Sequence, residues 1–254
     1  MRDRADQLLS VPNAYDTAKY HNQPQMSPFG DLQNSANIVV SSEPQTKELS
    51  SAVARNIASG RGGAPSAMLD SLAQYINSFS RRLGAGDVIS DPKMLGNTEE
   101  IDKISGQLAT AAARAGNEKS FGALQQILRT IPTNLNSPEG LAKIMSDILI
   151  SRKMDLDINS YAQNMKNEFA KYSGDANLAN YSGEGLQQRF NDLYGSKYMK
   201  DKSAIENIFK TTLSDGKTPL ASWIYENAST MSPQMKKGLE EKFGSGVLEY
   251  FGVK

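Results

Sequence analysis

The sequence predicts an all-α protein, and three observations support this. From Thr46 onward, apolar residues recur at spacings of three and four, which is the period of an amphipathic helix. Proline, serine and glycine stand where these stretches would begin and end. Only an N-terminal arm and a short C-terminal run have a composition compatible with strands. We therefore expect a multi-helix bundle of short antiparallel helices with one long helix, preceded by an irregular N-terminal arm.

Residues 1–45 form the predicted arm, extended or disordered. From Val11 the chain is rich in Asn, Gln, Ser and Pro, and its prolines are too closely spaced for a long helix: Pro12, Pro24, Pro28 and Pro44. This composition favours a disordered leader. The alternative is a segment that docks on a neighbour or pairs as a strand through the β-branched run at residues 38–40. The N-terminus lacks the apolar core of a secretory signal, and we expect it to remain uncleaved.

Residues 46–174 form the predicted helical domain. Helices are expected at 46–58, 65–82, 98–115, 119–131 and 138–174. Thr98 is the expected cap of the third helix, and Ser137-Pro138 opens the last and longest one. In that helix the apolar stripe shifts phase between Ser151 and Asp157. The shift marks this stretch as the likeliest place for a break, and the sequence leaves open whether the helix from Pro138 is continuous.

Residues 175–254 form the predicted C-terminal helical subdomain. Short helices are expected around 186–193, 205–213, 218–224 and 233–243, followed by a terminal run at 247–251 that could be a strand. Aromatic residues are otherwise sparse, so the large apolar side chains near the C-terminus are candidate protein-interface residues: Trp223, Tyr225, Leu248, Tyr250 and Phe251. The alternative is that they belong to the core of the chain itself.

The composition excludes several classes of chemistry. The chain has 254 residues, no Cys and one His, so a disulfide framework, a Cys-ligated zinc site, a thiol nucleophile and His pairs are all excluded. The 28 basic residues balance the 28 acidic ones, which removes a global attraction to nucleic acid or anionic membranes. No stretch has the roughly 20 consecutive apolar residues of a membrane-spanning helix.

The motifs of common active sites are incomplete. Asp155-Leu156-Asp157-Ile158-Asn159 resembles the start of a calcium loop, but Lys166 stands where the closing carboxylate belongs. The glycine-rich segments at 60–63 and 84–86 lack the remainder of a phosphate-binding motif, and the single imidazole, His21, lies in the arm. We predict no catalytic, cofactor-binding or metal-binding residue, no cofactor and no enzymatic activity.

A basic segment near the middle of the C-terminal subdomain raises the alternative of nucleic-acid contact. Lysines at 197, 200, 202 and 210 stand close to Tyr194 and Tyr198, which could stack on bases. Acidic residues at 192, 201 and 206 are interspersed and would cancel much of the field. A salt-bridged solvent face is the preferred interpretation, with DNA contact only weakly supported.

Part of the chain resembles helical proteins of bacteriophage virions. The resemblance rests on these segments: Asp91-Pro92-Lys93-Met94-Leu95, the Ala-rich stretch 98–115, the stretch 122–132 that ends in Ile-Pro, and Ser137-Pro138-Glu139-Gly140. The C-terminal Gly-Ser-Gly-Val-Leu-Glu-Tyr-Phe-Gly is similar to the ends of such chains as well. These motifs cover about half of the sequence and consist of caps and helix breakers, so no functional residue can be carried over.

The resemblance implies a structural virion component of a tailed bacteriophage, either an internal or DNA-ejection protein or a neck or tail protein. Such a protein acts through packing against other virion proteins and as a homo-oligomer, in the virion and in the host cytoplasm during assembly. Relatives of this kind sometimes carry a transglycosylase domain, but the Glu-Ser dipeptide of those enzymes is absent here. The alternative function is a helical adaptor or effector that binds a host partner through an exposed groove.

Overall fold

The computed structural model of the chain describes residues 28–60, 64–115, 118–173 and 183–253. Within these ranges the protein is an all-α bundle, as the sequence predicts. Its helices are α1 (Pro28–Ser41), α2 (Glu43–Ala58), α3 (Ser66–Arg82), α4 (Thr98–Ala115), α5 (Glu118–Asn134), α6 (Pro138–Ser173), α7 (Gly183–Lys210), α8 (Leu220–Asn227) and α9 (Pro233–Phe243). Two short 3₁₀ helices cover Pro92–Gly96 and Val247–Phe251. The only β-type pairing among these residues is an isolated bridge between Thr212 and Pro219.

Helix α6 is the centre of the bundle and packs against α1, α2, α5 and α7. It runs through 36 residues without interruption, about 54 Å at 1.5 Å per residue. The helix is therefore continuous through the stretch between Ser151 and Asp157, which the sequence marked as the likeliest place for a break. The apolar stripe shifts there because polar side chains reach different neighbours: Arg152 contacts the junction of α1 and α2, and Asp157 contacts α7.

Helix α7 lies antiparallel to α6. Lys202 pairs with Asp147 near the start of α6, whereas Phe190 lies against Tyr161 further along it. The sequence predicts two short helices in place of this single one of 28 residues. The polar residues in the middle of α7 separate the two predicted helices. In the structure their side chains contact α6 and the C-terminal 3₁₀ helix.

The described structure begins earlier than the predicted domain. Residues 28–41 form α1 and residues 43–45 belong to α2, so this part of the predicted arm is helical, and the run 38–40 is not a strand. Pro28 and Pro44 stand in first turns, where the missing N–H of proline is not needed. Residues 1–27, the rest of the predicted arm, lie outside the described residues.

A single hydrophobic cluster extends from Leu32 in α1 to Val253. It includes residues of every described α-helix except α9, whose Leu239 and Phe243 pack against it from the edge. One hydrophobic core therefore contains residues from both sides of the predicted domain boundary near residue 174. No described helix has both the length and the apolar character that crossing a membrane requires.

Local signals set several helix ends. The Ser137 hydroxyl accepts a hydrogen bond from the Gly140 N–H at 3.0 Å, as expected for the cap of α6. The cap of α4 is Asn97, whose side-chain oxygen accepts from the Glu99 N–H at 2.9 Å, and not the predicted Thr98. The predicted terminal strand is the 3₁₀ helix Val247–Phe251, because Gly246 and Gly252 flank it in left-handed conformations.

Candidate functional site

An open groove runs along α6 between α5 and α7, with a volume of about 730 Å³. On α6 one face lines it from Lys143 to Ile158, which corresponds to a length of about 22 Å. Apolar and polar side chains alternate in its walls. They include Gln126, Ile127 and Arg129 on α5, Ile150, Met154 and Asp155 on α6, and Phe190 and Lys202 on α7.

The two ends of the groove differ in charge. Arg129 and Lys143 are both exposed. They lie at the same end of the groove, near the α5–α6 connection, because α5 and α6 are antiparallel. Next along the groove, Lys202 forms an ion pair with Asp147 across α6 and α7. Asp155 lies closer to the other end. The groove is thus positive at one end and carries one acid towards the other.

Asp155 is the unusual side chain of this groove. Its carboxylate has no hydrogen-bond or ion-pair partner among the described residues, although it is partly buried. The nearby Arg152 guanidinium donates to the Ser42 hydroxyl at 2.7 Å and pairs with Glu43 instead. Burial raises the pKa of the Asp155 carboxyl to about 7, and the positive charge of Arg152 opposes this rise only in part.

The raised pKa of Asp155 predicts a specific pH dependence of stability. Because the pKa is about 7 in the folded chain against an ordinary 3.8, ionising Asp155 costs folding free energy, and this cost grows as pH rises from about 4 to above 7. Asp155→Asn removes the cost. We expect the variant to be more stable than the natural chain by about 1–3 kcal/mol at pH 8 and nearly equal to it at pH 4, after allowance for solvent screening.

Urea unfolding of both proteins across this pH range measures the difference. Asp192→Asn, which changes an exposed acid on the outer side of α7, is the control and should give a difference that is small at every pH. A stability difference that stays flat between pH 4 and pH 8 in Asp155→Asn would contradict the assignment.

The neighbouring acids are all engaged in structural contacts. Asp157 accepts from the Lys153 ammonium at 2.5 Å and from the Tyr198 hydroxyl at 2.8 Å. Asp201 accepts from the Tyr250 hydroxyl at 2.7 Å. These bonds connect α6, α7 and the C-terminal 3₁₀ helix. Burial, and then hydrogen bonding to the aspartate side chains, raise the pKa of the Tyr198 and Tyr250 hydroxyls, so these groups stay neutral donors.

The predicted interface residues lie mainly in the core of the chain itself. Tyr225, Leu248, Tyr250 and Phe251 are buried, and Trp223 is partly buried against the same core. The Phe251 ring lies 5.1 Å from that of Tyr225 and 6.0 Å from that of Phe209, measured between centroids. These aromatic side chains therefore have an intramolecular role, and the structure leaves four of the five no surface to offer a partner.

The exposed large apolar residues of the described chain lie elsewhere, on α1, α7 and α9. Met199 is 71% exposed and Leu193 is 58% exposed. The sequence predicts that Leu193 is one of the apolar residues of a short helix. In the structure its side chain is exposed. Apolar periodicity alone does not identify the exposed side of α7. The stripe that faces α6 consists of Phe190, Tyr194 and Tyr198.

The alternatives weighed from the sequence find no support in this geometry. Asp155, Asp157 and Asn159 lie within a continuous helix and not in a calcium loop, and no cluster of three acidic or His side chains suited to a metal ion exists among the described residues. Tyr198 is buried, and Lys202 is paired with Asp147, so neither is free for nucleic acid. His21 and the glycines at 62 and 63 lie outside the described residues.

The groove also holds two carboxylates, Asp147 and Asp155, and glycoside cleavage uses such pairs. Eight residues separate them on α6, which puts their Cα atoms about 12 Å apart. Asp147 is neutralised by Lys202 in an ion pair. This pair does not match the facing arrangement around a scissile bond that the reaction needs.

The chain was compared with known protein families, with characterised proteins and with solved structures, and nothing matches it in any of the three comparisons.

Proposed function

We propose that this chain is a non-catalytic structural protein of a tailed-bacteriophage virion that acts by binding other virion proteins. The observation that carries the proposal is the groove along α6. The apolar faces of the helices and the C-terminal aromatic residues are already packed in one core, and the groove is a concave surface that remains open to a partner.

The composition of the groove supports a protein ligand. Its lining mixes aliphatic, aromatic and amide side chains with charges of both signs, as in the polar and apolar mosaic of protein–protein interfaces. The virion setting is supported by the resemblance of the helix caps and breakers to those of phage proteins. Contacts between copies of the chain would use the outer side of α7, where Leu193 and Met199 are exposed.

A second candidate function is a helical adaptor that binds a host protein. The same groove favours it, since helix-in-groove binding needs only a concave surface with matched charge. The two candidates differ in where the chain resides and not in how the groove works.

Mass spectrometry of purified virions from the phage that encodes the chain distinguishes them. The virion proposal predicts that the chain is present at a fixed copy number per particle and survives high-salt washing. The adaptor alternative predicts that it is abundant in infected cells and missing from particles. Particles that lack the chain would overturn the virion proposal.

A further inference from the structure

We propose that the groove binds an amphipathic helix of a partner protein, with a Lys or Arg side chain of that helix on Asp155 and an acidic side chain at the end formed by Arg129 and Lys143. This inference rests on the proposed function and names the class of partner that the groove accepts.

The Asp155 carboxylate provides the first argument. A carboxylate held partly out of water without a hydrogen bond is costly, and natural structures usually supply a donor. Within the described part of the chain the candidate donor, Arg152, is already engaged with Ser42 and Glu43. The other acid of the groove, Asp147, is paired with Lys202. A cationic side chain from outside is the partner that Asp155 lacks.

The opposite end of the groove provides the second argument. Arg129 and Lys143 are exposed on α5 and α6, and neither has an ion-pair partner among the described residues. Lys143 and Asp155 are 12 residues apart on α6, which is about 18 Å along the helix. A helix lying along the groove meets both charges with one acidic and one basic residue about 12 positions apart.

The floor between the two charged ends provides the third argument. Ile150 and Met154 are four residues apart on α6 and partly exposed, and the buried side chains of Ile158 and Phe190 lie beside them beneath the surface. Side chains at this spacing receive the apolar face of a helix, and Met adapts to different shapes. Together with a length of about 22 Å, this fits roughly 15 residues of helix.

The test is a selection of helical peptides on the full chain. The probe is an mRNA-display library of 15-residue peptides that favour helix formation and are randomised on one face, selected at pH 8, where Asp155 is ionised. We expect the enriched peptides to place a basic residue and an acidic residue about 12 positions apart. Fluorescence anisotropy then measures their binding to the natural chain and to its variants.

Asp155→Asn should weaken binding roughly 10- to 100-fold, the effect of a hydrogen bond to a charged group. The double variant Arg129→Gln, Lys143→Gln should weaken it too, while the control Asp192→Asn should leave it unchanged. Asp155→Asn is expected to fold at least as stably as the natural chain, so a loss of binding reports the contact itself.

Several outcomes would overturn the proposal. These are the absence of any enriched peptide, enrichment without a basic residue, or equal binding to the natural chain and to Asp155→Asn. If a synthetic peptide of residues 1–27 binds in an Asp155-dependent way, the occupant is a segment of this chain and not a partner. The virion proposal fails if the chain is missing from purified particles. Peptide binding does not enter that result, so failure of the virion proposal and failure of the groove proposal are distinguishable.

Discussion

Phe251→Ala is expected to lower the free energy of unfolding by about 3–5 kcal/mol, the usual cost of removing a buried aromatic ring. Phe251 is 1% exposed and packs between Tyr225 and Phe209. For a chain of this length the loss corresponds to a fall in Tm of roughly 10 °C. Thermal unfolding at two or more protein concentrations measures it.

The control for this substitution is Val40→Ala on α1, where the side chain is 63% exposed. Its expected effect on stability is within about 0.5 kcal/mol. If instead Phe251→Ala left the stability of the monomer unchanged and altered only the oligomeric state, Phe251 would be an interface residue and the core described above would be wrong.

Gly140→Ala has the second large expected effect. A Cβ at this position would lie 2.2 Å from the carbonyl oxygen of Asn134 and 2.7 Å from the Asn134 Cα. Both are backbone atoms, so the tight connection between α5 and α6 must shift. Overpacking of this kind costs about 2–3 kcal/mol. Chemical denaturation of the purified variant measures the loss.

Gly106→Ala is the matched control, because Gly106 lies in the exposed middle of α4 with nothing within 4 Å of the added methyl group. Alanine is the better helix former there, and a gain of about 0.5–1 kcal/mol is expected. The two variants make the same chemical change and should therefore differ in sign. Equal effects would contradict the close approach of α5 to α6.

The fold class could be predicted because the helical period of apolar residues and the capping residues at helix ends are local properties of the sequence. Helices α4 and α9 lie close to their expected ranges, since the acidic first turn of α4 and Ser232 before α9 mark their starts and Gly244 ends α9. The arm was predicted too long, because the prolines at 28 and 44 were taken as helix breakers. In the structure both prolines stand in the first turn of a helix. When the flanking residues are polar, a sequence alone does not distinguish a proline that begins a helix from one that interrupts it.

The continuity of α6 and α7 could not be predicted for a different reason. Both helices change partners along their length, so their apolar stripes rotate and polar side chains such as Arg152 and Asp201 become buried. Those side chains are tolerated because Ser42, Glu43 and Tyr250 satisfy them from distant parts of the chain. Long-range pairing of this kind leaves no periodic signal.

The candidate site was outside the reach of sequence reasoning for the same reason. Asp155 drew attention as part of an incomplete calcium motif, but its isolation from donors is a property of the packed bundle. The groove requires α5, α6 and α7 to be placed together. The aromatic residues near the C-terminus were the more visible interface candidates, and they are core residues because Tyr225 on α8 and Phe209 on α7 pack against Phe251.

The central claim is that the groove, with Asp155 in its wall, is where another protein binds. Site-specific photo-cross-linking in the cells that produce the chain tests this most directly, with the photoreactive residue at Gln126 in the groove or at the exposed Lys47 on α2. The account predicts a cross-link to one other polypeptide from position 126, its loss in Asp155→Asn, and none from position 47. Equal cross-linking from both positions, or none from position 126, would contradict it.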